Sequence, residues 1–314
     1  PLDVAVQGSG WLSVQTPQGE EAYTRSGSLT MTVDGALQDS KGKILGEGWG
    51  GPANPVNDAE LAKQSILEAC NQALSNAGMD SDSISQCSVG AGLSGLHLPY
   101  IYDVMNAWNH PFEFLSLTTD LHAAVAGAHQ GKDGGVLILG TGFSAMAIKN
   151  KKQFALGGMG FPINAKASGS WLGLEAIKAV LLAEDELGPD TLLTRLILNK
   201  KSAIELAQQT VNAGASVFAK YAPFVFEAAD KGDTVANELI NEALDFAAHV
   251  IARMINFGVA NIALVGSVAH ALYPRLPQHL KQHIISQHGS PQAGAILLLQ
   301  QAILNKHSAQ KDPQ

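Results

Sequence analysis

The chain has 314 residues, of which 46% are hydrophobic, so it is long enough for a sizeable core and for two domains. Its formal net charge is −8 with scattered basic residues, and no apolar run approaches the roughly 20 residues that span a bilayer, which argues against nucleic acid or a membrane as partner. The cysteines, Cys70 and Cys87, lack a metal-binding spacing and are expected to be buried thiols in the reducing cytoplasm.

Short alternating apolar runs characterise the chain before residue 42. Leu29, Met31 and Val33 alternate with polar residues, as do Leu12 and Val14, and turn sequences rich in glycine separate the runs. Alternation interrupted by such turns is typical of antiparallel hairpins. We therefore predict a short all-β hairpin segment over residues 1–41.

Helices and strands take turns after residue 42. A helix is predicted over Asn57–Ala77, with Asn57 as its N-cap and Gly78 as its terminator. The apolar runs CSVGAGLSG, FEFLSLTTD and GGVLILGTG predict buried parallel strands, and a hairpin is expected to turn at Lys149–Lys152. The remaining predicted elements are helical stretches over 168–208 and 217–257, a strand at NIALVG, a final helix over Pro291–Leu304 and a polar tail over 305–314.

The run LGTGFSA, residues 139–145, carries the most specific chemical pattern. Gly140 and Gly142 leave no side chain in the way of a ligand, Thr141 offers a hydroxyl, and consecutive backbone N–H groups can point at phosphate oxygens. An ordinary tight turn is the alternative. Because a buried strand precedes the run, a hairpin follows it, and further glycine-rich loops lie downstream, we favour phosphate binding.

Two later glycine-containing runs are weaker candidates for nucleotide binding. Gly266 and Ser267 follow the strand NIALV, where they are expected to admit an adenosine. Gly294 lies at the start of the final helix, which is expected to close over the nucleotide. A glycine after a strand is commonplace, so neither run is specific by itself.

Asp120 ends the run FLSLTTD and precedes a predicted helix. Such an aspartate can serve as a helix N-cap. The alternative is a general base that takes a proton from a sugar hydroxyl as the hydroxyl attacks a γ-phosphate. Positioning and charge neutralisation dominate phosphoryl transfer, so one carboxylate and a phosphate-binding turn form a credible minimal set.

Several other residues are given structural interpretations. His279 and His283 are spaced like metal ligands, but the polar sequence QHLKQH favours an exposed helix face. His122 and His129 flank an alanine-rich helix and are expected to pack, and Trp171 is expected in the core rather than beneath a sugar ring. No metal-ligand set is predicted.

The order of six runs is familiar: GLSG, TTD, LGTG, GGMGFP with SGSWLG, LVGS and PQAGA. It resembles the N-acetylglucosamine/glucosamine kinase group of the BadF/BadG/BcrA/BcrD ATPase family. The resemblance implies an α/β, actin-like (ribonuclease H-like) two-lobed ATPase fold with lobes over 42–122 and 123–304, the second with a helical insert. It also implies phosphorylation of an amino sugar at its 6-hydroxyl with ATP and Mg²⁺, and a homodimer is left open.

The resemblance assigns residues to two groups. ATP would lie against Gly140, Thr141, Gly142, Ser144, Gly266, Ser267 and Gly294. The hexosamine would lie against Asn54, Ser94, Gly95, Thr119 and Asp120, with Asp120 as the catalytic base.

The first forty residues resemble a different family. The runs GSGW and AYTRSG are similar to those of proximal rod proteins of the bacterial flagellar basal body, which makes the chain look like a chimera. The kinase group opens with a DGGGT turn, which is absent here, and Gln7 stands where its aspartate is expected. Relatives commonly carry an aspartate in place of Ala165, before Lys166. These departures keep two alternatives open, a nucleotide- or sugar-binding protein without turnover and a rod-related protein.

Overall fold

The computed structural model describes residues 44–311 and four strands that precede them. The strands are β1 (Leu12–Gln15), β2 (Glu21–Thr24), β3 (Leu29–Thr32), β4 (Leu37–Asp39), β5 (Ile44–Gly46), β6 (Ser88–Leu93), β7 (Phe114–Thr119), β8 (Gly134–Leu139), β9 (Phe143–Lys149), β10 (Lys152–Gly157), β11 (Ile262–Val265) and β12 (Ile284–Ile285). The helices are α1 (Ala59–Asn76), α2 (Pro99–Asn106), α3 (Asp120–His129), α4 (Gly169–Glu184), α5 (Leu192–Leu198), α6 (Ala203–Thr210), α7 (Ala215–Ala219), α8 (Ala222–Asp230), α9 (Thr234–Asn256), α10 (Ser267–Leu272), α11 (Gln278–Lys281) and α12 (Pro291–Lys311).

The chain divides into two compact units. Unit 1 comprises residues 1–132 and 288–314, and unit 2 comprises residues 133–287. This division differs from the lobes expected over 42–122 and 123–304, because α3 and α12 group with unit 1. None of the helices within the described part of the chain combines the length and the apolar character that a transmembrane segment requires.

Unit 1 contains a five-stranded sheet in the order β5-β4-β3-β6-β7. The first three strands pair antiparallel, whereas β3, β6 and β7 are parallel. Strands β1 and β2 pair antiparallel in a sheet of their own. Hairpins were predicted before residue 42, and β1–β2 and β3–β4 confirm them. The sheet nevertheless crosses the predicted boundary at residue 42, because a local alternating pattern does not specify which sheet a short strand joins.

Helix α1 covers one face of the unit 1 core with the buried residues Ile66 and Leu74. Its N-cap is Asp58, one residue later than the predicted Asn57, because the Asp58 carboxylate accepts a hydrogen bond from the N–H of Leu61 at 2.9 Å. The helix ends close to the predicted position, and Gly78 follows it with φ of +70°.

Helix α12 packs on α3 and on β6 within unit 1. The helices approach so closely that a Cβ at Gly294 would lie 1.9 Å from the carbonyl oxygen of Ala123. A Cβ at Gly127 would lie 2.0 Å from the carbonyl oxygen of Ser290. The helix continues to Lys311, past residue 305, where a polar tail was predicted, because a helix anchored by its buried first turns can propagate residue by residue.

Unit 2 contains a second five-stranded sheet, in the order β10-β9-β8-β11-β12. The hairpin turn predicted at Lys149–Lys152 is confirmed, since β9 ends at Lys149 and β10 begins at Lys152. Helices α4 to α9 lie between β10 and β11 in sequence, where helical stretches were predicted over 168–208 and 217–257. Their side chains, including the fully buried Leu172, Leu193 and Ile251, share a core with β8 and β9. The α/β class is confirmed.

Candidate active site

The turn between β8 and β9 is tied to the start of α4. The N–H of Gly169 donates to the carbonyl oxygen of Gly140 at 2.7 Å, and the N–H of Ser170 donates to that of Thr141 at 3.2 Å. Ser168 is the N-cap of α4, and both Ser168 and Ser170 are completely buried. Backbone hydrogen bonds from the run SGSWLG therefore fix the position of the run LGTG.

This attachment fixes the direction of two backbone N–H groups. In a planar trans peptide, the carbonyl and the following N–H point in opposite directions. Because the carbonyls of Gly140 and Thr141 point toward α4, the N–H groups of Thr141 and Gly142 point away from it, and both residues are exposed. Neither N–H has a hydrogen-bond partner among the described residues. Two adjacent outward N–H groups form the kind of concavity that binds anions.

A cleft of about 510 Å³ opens beside this turn within unit 2. Its size fits the usual range for small-molecule and cofactor sites. The cleft is lined by Gly140, Thr141, Gly169, Ser216, Ala219, Lys220, Ala222, Pro223, Phe226, Ser267, Val268 and Ala271. One part of the lining is therefore turn backbone and hydroxyls, and the larger part is apolar.

The cleft includes some of the residues predicted for nucleotide binding. Gly140, Thr141 and Ser267 line it. Gly142 and Gly266 adjoin lining residues, and Gly266 has a φ of +98° that brings it against the end of β8. Ser144 lies in β9 opposite Ile138 and is not among the lining residues.

Gly294 differs from the other predicted nucleotide residues because it lies in unit 1, where its Cα is covered by α3. This contact is one reason for a glycine at this position, and the nucleotide-binding role of Gly294 stays a prediction. The sequence interpretation also missed the wall formed by α7 and α8, including Lys220 and Phe226. Those helices appeared only as part of one helical stretch, and their alanines carry no chemical signal.

The residues predicted for sugar binding gather at the carboxyl ends of β6 and β7 in unit 1. The register pairs Leu93 with Thr119, so Ser94 and Asp120 each follow directly from paired strand ends. A Cβ at Gly92 would lie 3.8 Å from the Cα of Asp120. Parallel strands bring their following loops to one edge of a sheet, which is where α/β proteins bind ligands.

Asp120 is the first residue of α3 but not its N-cap. Thr119 is the cap, and its Oγ1 accepts from the N–H of His122 at 3.1 Å and lies 3.0 Å from the His122 Nδ1. The hydroxyl predicted to bind substrate is thus engaged with α3. Asp120 is exposed, and its Oδ1 accepts from the N–H of Leu121 at 2.8 Å, which leaves oxygen lone pairs for a ligand.

Asn54 and Gly95 meet beside these strand ends. The Asn54 Oδ1 accepts from the N–H of Val56 at 3.0 Å, which closes a tight loop. Gly95 has a φ of +85°, and a Cβ there would lie 3.7 Å from the Asn54 Oδ1 and 2.1 Å from a methyl carbon of Val56. Asn54, Gly95 and the exposed Ser94 therefore form one polar corner of unit 1.

The sequence departs from the pattern of the kinase group at Gln7 and at Ala165, and only the second position lies among the described residues. Ala165 is buried in unit 2, and Lys166 beside it forms an ion pair with Glu242 of α9 and lies 4.2 Å from the ring centroid of Trp171. Trp171 packs against the unit 2 core as predicted.

The histidines also have defined surroundings. His129 is buried, as expected for a packing residue, whereas His122 contacts the capping hydroxyl of Thr119. His279 is exposed on α11. Within the described residues, no cluster of three or more histidine, cysteine, aspartate or glutamate side chains could hold a metal ion.

Comparison with known proteins finds one family model over most of the chain. The BadF/BadG/BcrA/BcrD ATPase family model matches residues 26–298. A glucosamine kinase of Vibrio cholerae is 30% identical over 83% of this chain and 90% of its own length. The crystal structure of a candidate N-acetylglucosamine kinase from Chromobacterium violaceum has a TM-score of 0.78 and 29% identity, and the match covers 87% of this chain and 97% of that one.

A second likeness concerns the N-terminal part of the chain. The flagellar basal-body rod protein FlgF of Escherichia coli is 44% identical over 73 residues, which are 23% of this chain and 28% of the rod protein. The predicted resemblance to rod proteins is confirmed for this stretch, which is longer than the forty residues expected. It overlaps the family match, which begins at residue 26.

Proposed function

The chain belongs to the BadF/BadG/BcrA/BcrD ATPase family, and from this we propose that it is an ATP-dependent amino-sugar kinase. The acceptor is glucosamine or N-acetylglucosamine, and the product is its 6-phosphate. The similarity to the glucosamine kinase of Vibrio cholerae and to the Chromobacterium violaceum structure supports this substrate class.

The observation that carries the proposal is the orientation of the Thr141 turn. Its two outward N–H groups lie on a cleft whose remaining walls are mostly apolar. Such a site suits a nucleotide, because phosphate oxygens accept from the N–H groups while the base packs on apolar side chains. The two N–H groups already point outward in this structure, so the turn need not change its conformation to bind phosphate.

Asp120 is the proposed general base. Its carboxylate is exposed at the carboxyl edge of the unit 1 sheet, next to the corner formed by Asn54, Ser94 and Gly95. In the proposed reaction the carboxylate accepts the proton of the sugar 6-hydroxyl, the hydroxyl oxygen bonds to the γ-phosphorus, and ADP leaves. Asn54 and the backbone around Gly95 would orient the sugar.

The finer assignments follow from the same proposal. Mg²⁺ is usually held by substrate phosphates, water and one or two carboxylates, so it would enter with ATP and neutralise phosphate charge. We place the reaction in the cytoplasm, which agrees with the free cysteines at positions 70 and 87. We also propose that the chain is a chimera of a rod-protein segment and a kinase. A homodimer stays a prediction that light scattering can test.

Coupled measurement of ADP release with glucosamine and with N-acetylglucosamine tests the function. We expect sugar-dependent release that Asp120→Asn lowers by about 10²- to 10⁴-fold in kcat, since a positioned base contributes that much. Asp103→Asn, at an exposed site on α2, is the matched control and should leave the rate unchanged. Absence of sugar-dependent release from well-folded protein would refute the proposal.

A protein that binds ligands without turnover is the second candidate. Two features favour it: a methyl group at Ala165, and the absence of the family's DGGGT turn from the sequence, with Gln7 where its aspartate is expected. Calorimetric binding of nucleotide and sugar without ADP release would establish this candidate, and turnover abolished by Asp120→Asn would exclude it.

A further inference from the structure

Lys220 is the one ionisable residue among the side chains that line the unit 2 cleft. It follows α7 directly, and its backbone N–H caps that helix through the carbonyls of Val217 and Phe218. The backbone at this position is thus held in place. The side chain is exposed and shares the cleft with Thr141 and Ser267.

The ammonium group of Lys220 forms no hydrogen bond or ion pair with another described side chain. The carboxylates of the neighbouring helix α8 are already engaged. Glu227 pairs with Lys231 at 2.6 Å, and Asp230 pairs with Arg275. The cation at position 220 therefore remains available to a ligand in the cleft.

The other lining residues cannot supply this charge. They are glycine, alanine, serine, threonine, proline, valine and phenylalanine. A nucleoside triphosphate carries several negative charges, and the whole chain has a net charge of −8, which disfavours a polyanion unless a local cation compensates. A lysine ammonium is a flexible point charge that commonly binds phosphate.

We propose that Lys220 is a charged ligand for the polyphosphate of the nucleotide in this cleft. The proposal rests on the proposed nucleotide-dependent function and extends it to a residue outside the glycine-rich runs. The Thr141 turn supplies directional N–H donors, whereas Lys220, at the end of α7, supplies net positive charge to the same cleft. The apolar residues Phe226 and Pro223 would then contact the base, where charge is not needed.

Calorimetry on the full chain tests the proposal with three probes that share a base and differ in phosphate charge. They are adenosine, ADP and the non-hydrolysable analogue adenosine 5′-(β,γ-imido)triphosphate. Lys220→Met removes the charge and keeps the side-chain length, and Lys220→Arg keeps the charge. Lys231→Met is the matched control, because Lys231 follows the next helix, α8, as Lys220 follows α7, but it pairs with Glu227 and does not line the cleft.

We expect Lys220→Met to weaken binding of the triphosphate analogue about tenfold, which corresponds to one charge-assisted contact, and to change adenosine binding by less than about twofold. Lys220→Arg should restore most of the loss, Lys231→Met should show none, and added salt should reduce the difference. Equal losses for adenosine and the triphosphate analogue, or no loss for either, would overturn the role of Lys220. If the unsubstituted protein binds none of the probes, the nucleotide site itself is refuted, so the two failures are distinguishable.

Discussion

The sheets of the two units have the same strand order but differ in the residues that follow their strands. Each sheet places an antiparallel three-stranded meander beside two parallel strands, with β3, β6 and β7 in unit 1 corresponding to β8, β11 and β12 in unit 2. In unit 1 the parallel strands β6 and β7 lead into polar side chains, including Ser94 and Asp120. In unit 2 the corresponding edge offers backbone N–H groups and hydroxyls. The comparison shows that one scaffold can serve unlike ligands through its loops.

The first connection of each meander makes the difference clearest. In unit 2, β8 and β9 are joined by Gly140–Gly142, a turn whose carbonyl oxygens accept hydrogen bonds from the start of α4. In unit 1, β3 and β4 are joined by residues 33–36, whose sequence is VDGA. The unit 2 connection therefore carries the glycine-rich phosphate pattern, which agrees with a nucleotide site assigned to that unit.

The largest effect is expected from truncation after Gly289, which removes α12. Loss of one buried large apolar side chain costs about 2–5 kcal/mol, so losing Ile296 and Leu299 together approaches the whole stability of about 5–15 kcal/mol of a domain. We expect unit 1 to lose cooperative unfolding while unit 2 keeps its thermal transition. Truncation after His307 is the control. An unchanged calorimetric profile for the chain truncated after Gly289 would contradict the structure.

Matched glycine substitutions should separate the two sites. Gly266→Ala places a Cβ 2.4 Å from the carbonyl oxygen of Leu139 in a backbone conformation that costs about 1–3 kcal/mol for other residues. We expect nucleotide affinity to fall by more than about tenfold while sugar affinity persists. Gly95→Ala should do the reverse, with a smaller loss because its main clash is with a Val56 methyl group.

Calorimetry with each ligand separately measures the two losses. Val56→Ala combined with Gly95→Ala removes the side-chain clash and should recover part of the sugar affinity. A fall in both affinities for either single substitution would show that the two units do not bind their ligands independently.

Asp233 and Asp58 allow a comparison of helix caps. The buried Asp233 carboxylate accepts from the N–H groups of Leu192 and Ala236 and from the Thr191 hydroxyl, so it supports the starts of both α5 and α9. Asp58 caps α1 alone, at an exposed site. We expect Asp233→Ala to lower the free energy of unfolding by about 2–4 kcal/mol and Asp58→Ala by about 1 kcal/mol in urea titrations. Equal losses would show that the second helix gains nothing from Asp233.

The smallest effect concerns the two thiols of unit 1. Burial raises the pKa of Cys70 to about 12 and that of Cys87 to about 11. Both side chains therefore stay protonated at pH 8, and a colorimetric disulfide reagent should label them only after denaturation. Since the folded-state pKa values exceed those of the unfolded thiols, stability should decline as pH rises above about 9. Rapid labelling of the native protein would contradict this burial.

The sequence predicted most strands of both sheets because their apolar runs are compact and end at glycine or polar residues. The runs at GGVLILG and NIALVG became β8 and β11, and the turn at Lys149–Lys152 lies where predicted. The sequence also allowed us to expect Ser94 and Asp120 close together, because parallel strands end at one edge of a sheet. Such features depend on local pattern and on rules of sheet geometry.

Tertiary packing determined what the sequence did not reveal. The alternating pattern of β3 and β4 predicts hairpin strands but does not show that β3 pairs with β6, some 60 residues later. The close approach of α3 to Gly294 is likewise not visible in the neighbouring sequence. Lys220 was missed for a similar reason, since its role follows from the cleft that α7 and α8 form with the turn.

The attachment of the Thr141 turn to α4 also links the turn to a segment that contains a tryptophan. Trp171 lies in the first turn of α4, and its backbone N–H donates to the Ser168 hydroxyl within the segment that is bonded to the turn. We expect a ligand that contacts the turn to alter these bonds and, with them, the environment of the indole. Intrinsic fluorescence should therefore respond to occupancy of the cleft, over the emission of the other three tryptophans, and the amides of Gly169 and Ser170 should exchange their hydrogens more slowly when the cleft is occupied.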